Sequence, residues 1–494
     1  MKKLLSIVLI SSLVLVSCDF DKDFEEMNVD PTKAAQLDVN NKLASVFLRT
    51  SGERYENWRA SFIYSSQIVQ HMSSTATYWT GNFYTRNEGY ATSLFDRAYP
   101  QQVKEIEDII FQLTNEGNSG DQMGVARIWR AFIYHRITDL YGDIPYSEAG
   151  KGYIDGVLKP KYDAQQDIYM DMLKEIEEGL AQLGSSSSLG ASDLIFQGDM
   201  TKWKKFGNSL MLRLAMRIKN VDASTSSTYV NKAISGGVMQ SLEDNAYMEH
   251  TNGPTDLNRN AWGTYAPRYP NARIGATLYN WLADHGDPRL NILADPNGPA
   301  AGNRYGLERD QLLAIYGETP ESYARVNPAI TQLDSPWVFI SYAQTSLLEA
   351  EFAASAGNHT LAETKYNDGV TANMQIWGSH YDASLTVDNS TINDYLTANP
   401  YDASQGERMI GEQYWAASFF DFFESFSNFR RSGYPELQAF GGHDPFPGNV
   451  TNGAIPRRLM YPSTEASVNA SNFDAVVQSQ GPNNQITRVW WDLN

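Results

Sequence analysis

A mainly α-helical fold is predicted from three features of the sequence. Apolar residues recur at helical spacing through much of the chain, long polar tracts separate those stripes, and the single cysteine, Cys18, excludes a disulfide framework or a multi-cysteine zinc site. With 494 residues, 42% hydrophobic and 20% charged, the composition is globular and the chain is long enough to bury a large core.

The elements follow in chain order. Leu43, Phe47, Trp58, Phe62 and Val69 lie in a helical tract broken near Gly52. Val103, Ile106, Ile110 and Leu113 form the next stripe, and Val125, Ile128, Trp129, Phe132, Ile133 and Ile137 the one after. Further helices carry Ile168, Met172, Leu173, Ile176 and Leu180, then Trp203, Phe206, Leu210, Leu214 and Ile218. Pro336 to Ala356 and Leu361 to Trp377 read as a helical pair around Gly357-Asn358. Pairs of this size resemble tetratricopeptide units with a degenerate signature, so the predicted fold is a tetratricopeptide-like helical scaffold with long irregular loops. Trp129, Trp203 and Trp377 on the stripes read as core, as do the eight aromatics between Tyr414 and Phe429. Trp490-Trp491 reads as an anchor for the C-terminal tail.

Irregular tracts are expected at 73–92, 141–163, 243–273, 284–307, 380–401 and from 433 onward. Ordered loops of this length usually carry function. The Ser-rich stretches at 184–192 and 222–228 are too short to be domain linkers, so residues 31–494 read as one α-rich domain.

Two lysines and the apolar run Leu4 to Val16 open the chain. Thirteen residues span about 20 Å as a helix, short of the roughly 30 Å hydrocarbon core, so residues 1–17 read as an export signal. The run ends in Leu15-Val16-Ser17-Cys18, which resembles a bacterial lipoprotein cleavage site. Cys18 is then the lipidated first residue and residues 18–30 a tether. The formal charge of -19 becomes -21 once Lys2 and Lys3 are removed. That balance argues against nucleic acid as a partner.

Searching for catalytic patterns returns little. His-Glu-x-x-His, Gly-x-Ser-x-Gly and Walker-type loops are missing, and the seven histidines show no metal-ligand spacing. His135 reads as a neutral, hydrogen-bonded structural residue. The acidic pairs Asp139/Asp143 and Asp284/Asp287 sit beside turn formers, where capping explains them more cheaply than glycoside hydrolysis. Asp295-Pro296-Asn297-Gly298 lacks the spacing of a calcium loop. Neither enzyme nor cofactor is required.

Several longer stretches carry a family resemblance. They include Tyr134-His135-Arg136-Ile137-Thr138-Asp139-Leu140-Tyr141-Gly142-Asp143-Ile144-Pro145-Tyr146, Gly198-Asp199-Met200-Thr201-Lys202-Trp203, Asp287-Pro288-Arg289-Leu290, Arg430-Arg431-Ser432-Gly433-Tyr434-Pro435 and Ile455-Pro456-Arg457-Arg458-Leu459. In these the chain is similar to the SusD/RagB family, the SusD-like lipoproteins of Bacteroidetes outer membranes. The resemblance implies a non-catalytic surface lipoprotein that caps a SusC-like TonB-dependent barrel and captures oligosaccharides, or in some members peptides, for import. It also implies that the acidic start after Cys18 directs the protein to the cell exterior. The shared motifs read as scaffold and transfer no binding residue.

Candidate binding residues come instead from chemistry. Pyranose C–H groups pack on aromatic faces while hydroxyls need amide, carboxylate or guanidinium partners. Two polar loop clusters offer both. One, 78–87, contributes Tyr78, Trp79, Tyr84 and Arg86, and the other, 258–269, contributes Trp262, Tyr265 and Tyr269. A surface glycosidase working through loop carboxylates is the remaining alternative.

Overall fold

A computed structural model describes residues 37–184, 189–269 and 271–494. The export signal, Cys18 and the tether lie outside these residues. The scaffold helices are α1 (Val39–Ser51), α2 (Lys104–Asn115), α3 (Asp121–Tyr141), α4 (Gln165–Gln182), α5 (Met200–Arg217), α6 (Ala223–Gly236), α7 (Tyr342–Ser355), α8 (His359–Ile376), α9 (Gly406–Ala417) and α10 (Phe422–Ser432). The most extensive pairings join sequence neighbours, α3 with α4, α5 with α6, and α7 with α8. α4 also meets α5, and α5 meets α7, so the hairpins stack side by side. This is the mainly α, tetratricopeptide-like scaffold that the sequence predicts.

Local chemistry sets the helix starts. Asp199 accepts hydrogen bonds from the Thr201 and Lys202 amides at the head of α5, and Asn358 accepts from the Leu361 amide at the head of α8. Ser341 and Gln344 form a reciprocal capping box on α7. That cap corrects the expected helix from Pro336. Trp337-Val338-Phe339-Ile340, β-branched and aromatic, instead forms a strand antiparallel to Ala246–Met248. Gly52 breaks the first tract as expected. Its φ is +84°, and a Cβ there would lie 2.3 Å from the Asn57 amide nitrogen. After the break comes the turn Arg54–Glu56 and then a π-helical segment, Asn57–Ser65.

Helices also occur inside the expected irregular tracts, at Asn389–Ala398 and Ala470–Gln480, and where no element was read, at α6 and Arg309–Tyr316. α6 is Ser- and Thr-rich, but Ser226, Val230 and Ala233 are its buried residues, at helical spacing. Tertiary packing thus overrides a loop-like composition.

One continuous apolar cluster runs from Val39 to Trp491. Trp129, Trp203, Trp377 and the eight aromatics of 414–429 are all in it, as predicted, and the Trp491 side chain is buried with them. Buried ion pairs cross this core. Arg217 donates to Glu424 at 2.6 Å and lies 3.4 Å from Asp139, and Arg431 forks onto Glu351 with two 2.6 Å hydrogen bonds. These residues tie α3, α5, α7 and α10 together, which is the scaffold role read for the shared motifs.

Candidate functional site

Three of the four carboxylates weighed for catalysis, Asp139, Asp143 and Asp287, have structural partners, and Asp284 is exposed. Asp139 serves Arg217 and Tyr169 in the core, and burial raises its pKa. Asp143 accepts from the Gln165 amide, and Asp287 is held by the Arg289 guanidinium. His135 is buried as expected, but neither ring nitrogen has a hydrogen-bond partner. Burial together with Arg213, Arg217 and Arg136 drives its pKa well below the usual histidine range, so it stays neutral. Among the described residues no cluster of His, Cys, Asp and Glu could hold a metal ion.

The two aromatic clusters picked from sequence do meet. Met72–Ser74 pairs antiparallel with Ala272–Ile274, Met72 opposite Ile274 and Ser74 opposite Ala272. The loop leaving the first strand and the loop entering the second are thereby brought side by side. Tyr78-Trp79 comes from one and Tyr265 with Tyr269 from the other, and Trp79 lies edge-on to Tyr269 at 6.3 Å.

The expectation that these loop aromatics are all exposed is corrected. Trp79, Tyr84 and Tyr265 are fully buried, and Trp262 is 3% exposed. Trp79 and Trp262 both pack edge-on against Phe62, at 5.1 and 4.7 Å, and Tyr84 packs on Phe440 at 4.4 Å. The reason is the tight seating of the loops. The turn Thr80–Phe83 approaches the π-helical segment so closely that a Cβ on Gly81 would lie 2.4 Å from the Ile63 carbonyl oxygen. In the other loop, Asn260 caps the turn Ala261–Tyr265 by accepting from the Trp262 and Gly263 amides. Tyr78 (39% exposed), Arg86 and the half-buried Tyr269 remain at the surface. Arg86 pairs with Glu88 at 3.3 Å.

Beside Trp262 lies a small cavity lined also by Trp337, Trp377 and Phe420. The space there open to water is about 30 Å³, room for one or two waters and not for a sugar ring.

The surface at this junction centres on a residue that the sequence placed in a helical stripe. Trp58, on the π-helical segment, is half-exposed and stacks on Tyr269 at 4.7 Å with 24° between the rings. Tyr265 lies nearly parallel to it at 5.5 Å, and Tyr90 is tilted at 5.8 Å. Tyr90 in turn has the Arg59 guanidinium 5.3 Å from its ring centre, and Arg59 sits 3.8 Å over Tyr55. Tyr78 lies beside Trp79, their ring centres 6.2 Å apart, and burial raises the pKa of its phenol. Trp58, Tyr78, Tyr90 and Tyr269 therefore make a half-exposed aromatic face backed by the buried Trp79 and Tyr265.

A stacked helical scaffold with a half-exposed aromatic face, and with Asp139 and Asp287 held by arginines, is the architecture on which the comparisons bear. The chain matches the SusD-like family model described as "Starch-binding associating with outer membrane" over residues 34–462, and it belongs to that family. The description names binding, the class of function that the resemblance implies. Among solved structures, a chitin-binding protein is 31% identical, with a TM-score of 0.80 over 92% of this chain and 100% of its own. A SusD homologue from Bacteroides uniformis is 22% identical (TM-score 0.77, 93% and 100% covered). A chitin-binding SusD homologue from Flavobacterium johnsoniae is 21% identical (TM-score 0.75, 92% and 99% covered). No curated protein matches the chain. No helix among the described residues is long and apolar enough to cross a membrane.

Proposed function

We propose that this protein is a surface lipoprotein, anchored through Cys18, that binds oligosaccharide on the Trp58 face and delivers it to a SusC-like TonB-dependent barrel in the outer membrane. The observation that carries the binding step is the half-exposed stack of Trp58 on Tyr269, a flat apolar surface of the kind pyranose C–H groups cover. Tyr78 is a surface group near it that offers a hydroxyl donor. The family description and the chitin-binding relative at 31% identity support a glycan as the cargo. Delivery to a separate barrel is supported by the lack of a membrane-crossing helix in the described residues, because cargo needs a closed barrel or a helix bundle to pass a bilayer.

Calorimetric titration with chito- and malto-oligosaccharides, alongside a peptide panel, tests the reading. Trp58→Ala should weaken glycan binding by about 1–3 kcal/mol with an unchanged thermal melt, as for an exposed aromatic anchor. Unaltered glycan affinity in that variant, or binding of peptides alone, would overturn it.

A further inference from the structure

The aromatic face has a cationic edge that its hold on neutral sugar rings does not explain. Arg59 and Arg97 both lie against one ring, that of Tyr55, with their guanidinium carbons 3.8 and 4.5 Å from its centre. Two positive charges are thus held closer than the Debye length of about 10 Å. In a chain of net charge -19, arginines commonly find carboxylates. Arg217, Arg289, Arg431 and Arg457 all do. Around Arg59 and Arg97, no carboxylate among the described residues comes within ion-pairing distance. Asp96 feels the charges of both arginines and Glu56 that of Arg97, each from beyond ion-pairing distance, and Asp96 spends one oxygen on the Thr92 hydroxyl. Arg59 donates only to the Gly89 carbonyl, at 3.3 Å, and its Nε has no partner.

Stacking fixes a guanidinium plane; on Arg59, Nη1 is engaged by Gly89 and Nε is buried, so an oxyanion would meet this arginine through Nη2. Two such groups facing each other's charge without a counter-ion raise the local potential, and an anion relieves it.

We propose that Arg59 and Arg97 select glycans bearing an anionic substituent, a uronate carboxylate or a sulfate, whose neighbouring ring lies on the Trp58 face. The inference rests on the reading of that face as the glycan site. The substituent would accept hydrogen bonds from both arginines at the Tyr55 end while the adjoining pyranose covers Trp58 and Tyr269.

The test compares chitohexaose with oligogalacturonate and a sulfated chito-oligosaccharide of equal length, using the full chain at low and high salt. The anionic ligands should bind roughly tenfold more tightly at 50 mM salt, with the advantage shrinking at 500 mM. The Arg59→Gln/Arg97→Gln double variant should lose that advantage and keep its affinity for chitohexaose. Arg97→Gln alone, which leaves Arg59 on Tyr55, guards against a double variant that misfolds and should lose part of the preference. Equal affinity of the intact protein for neutral and anionic chains, without salt dependence, overturns the anion site alone. Failure to bind any of the three sugars overturns the glycan face together with it.

Discussion

Glu56 ends the turn Arg54–Glu56, two residues before Trp58 of the aromatic face, and it is 1% exposed. One carboxyl oxygen accepts from the Glu53 amide at 3.0 Å and the other has no partner. Burial is the dominant influence and pushes its pKa up from 4.5 to about 7, with Glu53 adding to the rise and Arg97 opposing it. A folded-state pKa above the unfolded one means that the native protein holds a proton the unfolded chain has lost. The stabilisation is therefore complete below pH 4.5 and disappears as the pH climbs through about 7. Glu56→Gln, neutral at every pH and still able to accept from Glu53, should flatten this part of the profile. Urea melts from pH 5 to 8 should show wild-type stability falling relative to the variant, and parallel curves would refute the assignment.

At the scale of elements, the turn Thr80–Phe83 supports Tyr78 from below through the contact of Gly81 with the Ile63 and Tyr64 carbonyls. Gly81→Ala drives a methyl into backbone that cannot yield cheaply, so it should cost about 1–3 kcal/mol of stability. Because Tyr78 lies two residues before this turn, glycan affinity on the proposed face should drop too, and calorimetry beside thermal melts would show both losses or neither. The helices themselves were legible because a 3.6-residue period survives in sequence whenever one face is buried. Of the residues picked in the two loop clusters, only Tyr78, Arg86 and Tyr269 keep side chains at the surface. Their exposure was not readable, because it depends on the nonlocal ladder between Met72–Ser74 and Ala272–Ile274. Trp58 escaped for a different reason. The chain breaks at Gly52, and the π-helical segment after it bonds i to i+5 and rotates less per residue than an α-helix, so the α-helical spacing from Leu43 and Phe47 does not carry through to Trp58. α6 escaped because serine and threonine read as turn formers unless docking decides otherwise.

For the whole molecule, the proposed anchor can be separated from the proposed binding. Cys18→Ala should release the protein from the outer membrane, since two or three acyl chains hold firmly and one alone only marginally. Its glycan affinity in solution should match that of the lipidated form. Fractionation of cells and titration of the released protein check the two halves, and a variant still firmly bound without its barrel would refute the lipid anchor.

The three-residue ladder that assembles the binding face joins segments about two hundred positions apart in the chain. Closing a loop of that size carries an entropic penalty on the order of 5 kcal/mol, more than so short a ladder returns on its own. The ladder therefore becomes favourable only after the helical hairpins have docked and shortened the effective separation. A partly folded chain, whether newly exported or refolding from urea, has its scaffold before it has its ligand affinity. The protein thus gains the capacity to hold cargo last of all, when the body that must carry it is already in place.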